Sequence, residues 1–347
     1  MKGGVSSVER LILSDISDSV EVSHFPTTHD GNRLSKIFYG ILSWIFLPFK
    51  LIRFNPDLVH IHFASRGSTW RKIPISLISK IFNKPVVLHS HGAEFKDFYL
   101  DECGALRRML VNNFLNRSNK IIVLSKSWER FFVEDCGVRK EKIVLLSNPV
   151  DTKLLRPLDE PIFASKNLKI VTNGRLGARK GTYESINAIS HIDSSIRENI
   201  QYTMTGDGDK DKFIRLISTL ELGDNIKITG WVSEEELIEI RKSAHVFLLP
   251  SRNEGLPMAM IEAMALGLVP IVTPVGGIPE VVKDMENGII VKIGDIEDIS
   301  NALTKLYNDR GLLKRLSNNA RKTAQLFDIT NYTLDLEKIY RETRAKR

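Results

Sequence analysis

A chain of 347 residues, 42% hydrophobic and 26% charged, is long and apolar enough for about two domains with full cores, at roughly 100–200 residues each. Those proportions are ordinary for a soluble globular protein, and two cysteines, Cys103 and Cys136, exclude a disulfide framework and make a reducing compartment the expectation. The net charge of +7 sits in the first half: residues 1–150 hold 21 Lys and Arg against 14 Asp and Glu, whereas residues 151–347 hold 28 of each. Such a basic surface suits an anionic partner, a membrane face or a phosphate-bearing lipid, or else is a solvated face with no partner. Nucleic acid is not expected, because the chain carries no recognition-helix, zinc-finger or RNA-binding signature.

Met1-Lys2 runs at once into Gly3-Gly4, so no secretory signal is expected at the start. The first half then alternates candidate strands at Val20–Phe25, Leu58–Phe63, Pro85–His89, Lys120–Leu124 and Lys142–Leu146 with helical stretches near Leu34–Phe54, Arg71–Phe82, Leu106–Asn116 and Ser127–Asp135. From Ile37 to Phe49 the sequence is almost wholly apolar, with five aromatic residues, and Lys36, Lys50 and Arg53 flank it. The run is short of the ~20 residues of a membrane span and holds Pro48. Two readings stay open: an interfacial helix with aromatics at headgroup depth, or a helix buried against a sheet.

Residues from Asn148 to Lys166 hold three prolines and no periodicity, which marks a domain boundary. The rhythm then resumes with strands at Lys169–Thr172, Gln201–Thr205, Ile226–Thr229, Val246–Leu249, Val269–Thr273 and Gly288–Lys292. Alternating strands and helices imply two parallel sheets, each covered on both faces, hence two doubly wound α/β domains. In such sheets ligands bind at the carboxyl ends of the strands. Those ends carry His89, His91 and Gly92, then Ser125, then Gly174-Arg175 and Lys180-Gly181, then Gly206-Asp207-Gly208, then Trp231. Each alone is a weak signal, and Asp207, Asp209 and Asp211 read as turn residues rather than metal ligands.

The segment Ser251–Glu262 is the most informative. Val246–Leu249 reads as a buried strand, Gly255 and Pro257 break it, and a helix follows from Met258 to Leu266. Glu254 therefore stands at a strand end beside a helix N-terminus, and Glu262 lies within the helix. Backbone amides there favour an anion, while carboxylates suit a polyol, so a ligand with phosphates and sugar hydroxyls satisfies both. That is a nucleotide sugar.

Taken in order, Gly174-Arg175 with Lys180-Gly181, Gly206-Asp207-Gly208, Glu254 through Glu262, and Gly276-Gly277-Ile278-Pro279-Glu280 resemble the signature of glycosyltransferase family 4. Gly3-Gly4, Asp57-Leu58-Val59-His60, His91-Gly92 and Asn148-Pro149-Val150-Asp151 fall where that family has comparable motifs, and the resemblance covers nearly the whole chain. It implies a GT-B fold, two Rossmann-like domains facing a central cleft, and retaining transfer with no metal or other cofactor. Residues 1–150 would form the acceptor-binding domain, completed by a helix at 327–347 that crosses back, and residues 151–326 the donor domain. By the same resemblance Arg175 and Lys180 bind the donor diphosphate, Glu262 the ribose and Glu254 the transferred sugar. Gly4, Gly206, Gly255 and Leu256 contact the donor, and His91 is a catalytic or positioning group near the sugar. Family members begin with an apolar strand before the glycine pair. None precedes Gly3-Gly4: either this start lies inside a longer reading frame or the first sheet lacks a central strand, and the place of Gly4 stays open.

The resemblance thus implies transfer of a sugar from a nucleotide-sugar donor to a lipid-linked or polysaccharide acceptor, in the cytoplasm or on the inner face of the cell membrane. A sugar-nucleotide epimerase of the same fold and a non-catalytic scaffold are the alternatives. An epimerase needs neither an acceptor groove nor a basic membrane surface, and a scaffold would not need Arg175, Lys180, Glu254 and Glu262 intact.

Overall fold

A computed structural model of the chain describes residues 4–29, 31–155 and 165–345. Gly3 and residues 156–164 of the expected linker lie outside the described residues. The chain divides into two compact units, Met1–Pro149 with Ile329–Arg347, and Val150–Asp328.

The first unit is built on four parallel strands in the order β1-β2-β3-β4: β1 Val59–Phe63, β2 Val86–Ser90, β3 Lys120–Val123 and β4 Ile143–Leu145. Alternation along β1 sends Ile61 and Phe63 to one face and His60 and His62 to the other. Phe63 is fully buried, edge-on to Phe95 and Phe114 at 5.5 and 5.4 Å between ring centroids. The expected strand Val20–Phe25 does not form. Its alternation is present, but no neighbour offers it a ladder, and Val22 stays exposed. Among the described residues β1 pairs only with β2, so its outer edge carries no strand. Gly4 opens a helix, Gly4–Asp15, with nothing within 4 Å of where a Cβ would stand.

The apolar run belongs to one helix, Arg33–Phe54, capped by the Asn32 side chain and closed by Asn55 in the left-handed region. Pro48 does not end it. Leu34–Phe54 is long and apolar enough to cross a membrane by length and composition alone, which corrects the expectation of a run too short to do so. Nor is it a buried helix. Only a stripe of Gly40, Ser43, Leu47 and Leu51 is covered, packed on the helix Gly67–Ile81, where Trp44 Nε1 donates to the Arg71 carbonyl at 3.0 Å. The opposite face leaves Phe38, Phe46, Phe49 (67% exposed) and Ile52 uncovered.

The helix Ile329–Ala345 belongs to the first unit. It buries Ile329, Tyr332, Leu336 and Ile339, and packs on the Gly4–Asp15 helix. Thr333 Oγ1 donates to Asp15 Oδ2 at 2.7 Å, and the Ser17 amide to Glu337 Oε1 at 3.1 Å.

The second unit holds six parallel strands in the order β10-β9-β8-β5-β6-β7: β5 Leu168–Asn173, β6 Ile200–Thr205, β7 Ile226–Gly230, β8 Val246–Leu249, β9 Val269–Val272 and β10 Ile289–Ile290. The chain winds outward from β5 to β7, then crosses to β8 on the other side of β5. The reversal puts the switch point between β5 and β8. Every residue of β8 and β9 is buried, as central parallel strands require.

Each fully buried Leu or Ile side chain contributes about 1.5–3 kcal/mol, so the C-terminal helix supplies much of the first unit's stability. Deleting residues 329–347 is expected to remove the calorimetric transition of the first unit and leave that of Val150–Asp328. Two transitions in the shortened chain would contradict this.

Candidate active site

The β5–β8 switch point brings the sequence's cations and carboxylates together. After β5 the chain turns through Gly174, Arg175 and a short 3-10 turn, Ala178–Lys180. Gly181 follows with φ +69°, and a Cβ there would stand 2.1 Å from the Pro250 carbonyl oxygen. Only glycine lets the β5 loop lie against the end of β8 so closely. Gly206, at the end of β6, has φ +136°, and a Cβ would fall 1.8 Å from the Gly174 oxygen. Gly206 is thus required by packing of one strand end on the next, whatever it also offers a ligand.

Glu254, 6% exposed, is reached by Lys180 Nζ at 2.6 Å, by Ser251 Oγ at 2.8 Å and by Arg179 Nη1 at 3.6 Å, all on Oε1. A buried carboxylate is tolerated only with such partners. The two loops are tied together, since the Arg252 amide donates to the Arg179 carbonyl at 2.8 Å and the Arg179 side chain, through Nη1, to that of Asn253 at 3.0 Å. Arg175 is exposed and lines a pocket with Asn173, Gly174, Lys180 and Thr182.

Glu262 lies within the helix Met258–Ala265, its Oε2 2.7 Å from Arg241 Nη2. Arg241 is 2% exposed and also donates to Asn173 Oδ1, at 2.9 Å. It ties the Glu262 helix to the end of β5. Sequence reasoning missed Arg241, because Glu234–Lys242 reads as a charged surface helix with no signal that one arginine turns inward. Pro257 stands at the N-cap of the Met258 helix rather than in its first turn, and no side chain caps that end. Leu256 is buried, and the Gly255 carbonyl accepts from the Gly277 amide at 2.7 Å, so this loop is held by its own backbone.

His91 lies in the first unit, one residue past β2, its amide bonded to the Phe63 carbonyl at 2.9 Å. Its Nε2 is 2.8 Å from His62 Nδ1, one of the two carrying the proton. Burial, with His60 nearby, pushes the His91 imidazole down to about 3, against a hydrogen bond with Asn148 that acts the other way. Burial likewise lowers His60 to about 3, and His62 and His89 well below their usual value. The cluster is neutral at physiological pH. A neutral imidazole there orients or exchanges a proton but supplies no cationic charge.

Two parallel α/β units in one chain, one with cation–carboxylate pairs at its switch point, define a GT-B type of protein. Among solved structures, sucrose-phosphate synthase from Thermosynechococcus elongatus superposes with a TM-score of 0.81 at 20% identity, covering 99% of this chain and 94% of that one. Anabaena HepE in complex with UDP-glucose does so with a TM-score of 0.73 at 19% identity, over 87% and 83% of the two chains. Residues 17–154 match the model of Glycosyltransferase Family 4, and residues 159–323 that of Glycosyl transferases group 1. The chain belongs to this family of glycosyltransferases. It is 25% identical over 339 residues to UDP-Gal:alpha-D-GlcNAc-diphosphoundecaprenol alpha-1,3-galactosyltransferase of Escherichia coli, covering 94% of this chain and 84% of that protein. It is 28% identical over 221 residues to the capsular polysaccharide biosynthesis glycosyltransferase CapM of Staphylococcus aureus, 64% of this chain and 55% of CapM.

Removing one partner of a buried ion pair costs about 3–5 kcal/mol. Lys180→Met is expected to destabilise the second unit by about 3 kcal/mol, and adding Glu254→Gln to recover most of it. A denaturant double-mutant cycle in which the two costs simply add would show the pair to be uncoupled.

Proposed function

We propose that this glycosyltransferase moves a sugar from a nucleoside-diphosphate donor to a lipid-linked or polysaccharide acceptor, with retention of anomeric configuration and without a metal on the diphosphate. The observation that carries the reading is the convergence of Arg175, Lys180, Glu254 and Glu262 at the carboxyl ends of β5 and β8. The E. coli relative's name specifies a UDP-sugar donor and a diphosphoundecaprenol acceptor, which makes UDP-sugars and polyprenyl diphosphates the first candidates.

As the glycosidic bond breaks, negative charge develops on the departing diphosphate, and Arg175 and Lys180 are preorganised to receive it. Glu262, held by Arg241, accepts from the ribose hydroxyls. Glu254 accepts from the sugar hydroxyls and stabilises positive charge developing at the anomeric carbon. The backbone at Gly206, Gly255 and Leu256 shapes the donor pocket, Gly4 belongs with the donor diphosphate, and His91 positions the sugar. The C1–O bond to phosphate breaks as the acceptor oxygen bonds to C1 on the same face, and the acceptor proton passes to the departing phosphate oxygen. No enzyme nucleophile is needed. Residues 1–150 with the C-terminal helix serve the acceptor, and residues 151–326 the donor.

The uncovered face of the Arg33–Phe54 helix, with Lys36, Lys50 and Arg53, fits the inner, anionic face of the cell membrane. Its opposite stripe is packed on the unit, so the helix lies in the interface rather than crossing it.

A thermal-shift screen of UDP-, GDP- and ADP-sugars should find one donor that raises the melting temperature by the same increment with and without EDTA. Stabilisation by none, or only with added Mg²⁺, would sink the donor assignment or its metal independence. With that donor and a polyprenyl-diphosphate acceptor, Glu254→Gln should lower kcat by about 10²–10³-fold, and unchanged turnover would favour a scaffold. Phe38→Ser/Phe49→Ser should abolish co-sedimentation with anionic phospholipid vesicles, and undiminished binding would remove this face from the membrane contact.

A further inference from the structure

Four histidines form a lattice on one face of the first sheet. His60 and His62 lie two apart on β1 and share a face. His62 is in register with His89 on β2, and His91 follows two residues later. Only His91 enters the catalytic proposal. The other three occupy positions where a packed sheet face ordinarily carries Val, Ile or Leu.

Their hydrogen bonding is incomplete in a specific way. His89 is 0% exposed, and neither ring nitrogen has a partner. His60 gives Nδ1 to the Tyr340 hydroxyl at 2.7 Å, while its Nε2 is buried without a partner. His62 has its Nδ1 on His91. Each unsatisfied buried polar atom costs about 1–3 kcal/mol, so three on adjacent rings are a large cost for no packing gain. Yet one ligating atom from each of His60, His62 and His89 lies within 4.8 Å of the others. The rings already stack: His60 on His89 at 5.4 Å between centroids, with His62 at 4.3 and 4.9 Å from them.

We propose that His60, His62 and His89 form a tri-histidine site for a divalent transition cation of the zinc type. Three neutral imidazoles on two adjacent strands make the His₃ donor set that Zn²⁺ accepts, with a fourth position open. Zinc bonds of ~2.0–2.1 Å require ring rotation to draw the three nitrogens in from their present spacing of up to 4.8 Å. With the proton on His60 Nδ1, the Tyr340 hydroxyl would accept it and leave Nε2 to ligate, and the His62–His91 bond orients His62. The site holds no carboxylate, and Lys72 lies close enough to act electrostatically on His62, its Nζ 2.6 Å from Thr27 Oγ1. Purely nitrogen ligands select against Mg²⁺ and Ca²⁺ and for Zn²⁺, Ni²⁺ or Cu²⁺, while the Lys72 ammonium opposes any cation equally. The diphosphate cations belong to the second unit and the ligands to the first. Metal held there would fix the orientation and tautomer of His91 through His62.

The test uses the full chain, stripped with EDTA, dialysed and titrated with Zn²⁺ against a chromophoric chelator. The expected result is a single equivalent bound, undisturbed by excess Mg²⁺, with affinity lowered at least tenfold in both His89→Leu and His60→Gln. Co²⁺ in place of Zn²⁺ should give the visible absorption of a tetrahedral site. No binding by the folded chain, or binding unchanged in the variants, overturns the proposal. Should His89→Leu fail to fold, His60→Gln decides alone, since glutamine can still bond Tyr340. The readout is metal binding, so it stands or falls independently of transferase activity.

Discussion

The Glu254 side chain is almost wholly withdrawn from water, and Lys180 meets it there at 2.6 Å. Its position depends on the sheet order. Lys180 follows β5 and Glu254 follows β8, strands 73 residues apart between Asn173 and Val246 that become neighbours only because the chain reverses direction at β5. The close approach of the Gly181 loop to Pro250 brings the two groups within ion-pair reach. Much of the site is therefore built before any ligand arrives. Arg241, bonded to both Asn173 and Glu262, extends the same brace to the next helix. Lys180 and Glu254 are already largely desolvated and oriented, whereas Arg175 stays exposed, and preorganised charge is the condition under which electrostatic stabilisation of a transition state is largest.

The first unit solves a different problem. Its four clustered imidazoles are neutral, because burial lowers them far below their usual range. A neutral imidazole donates from one nitrogen and ligates or accepts with the other, and the His62–His91 bond joins the proposed metal site to the proposed catalytic ring. The C-terminal helix takes part through Tyr340, which links the end of the chain to His60.

Most strands and helices were legible in the sequence, since β-rich runs and amphipathic stretches alternate cleanly; Val246–Leu249 is found where its apolar run ends. Val20–Phe25 shows the limit of that signal. Alternation specifies which face a strand would bury, not whether another strand lies beside it. The helix expected near Leu34–Phe54 is present as Arg33–Phe54, and Pro48, read as an interruption of its apolar run, is accommodated within it. In the site, glycines and charges at strand ends stood out, whereas their pairing did not. That Glu254 bonds Lys180, and Glu262 bonds Arg241, follows from strand order, which local pattern does not encode. Arg241 was invisible for the same reason, being one of two cations at the end of a polar helix. The histidines were visible singly, but their lattice appears only once β1 and β2 are in register.

The most direct measurement of the donor site compares a nucleoside diphosphate with its 2′,3′-dideoxy analogue by titration calorimetry, on the wild-type chain and on Glu262→Gln. If the β5–β8 edge holds a nucleotide by its ribose, the wild-type chain should lose about tenfold in affinity, some 1.4 kcal/mol, when the hydroxyls are removed. The variant should lose little. Equal losses in both proteins, or no loss in either, would contradict a ribose-binding role for Glu262 and with it the placement of the donor.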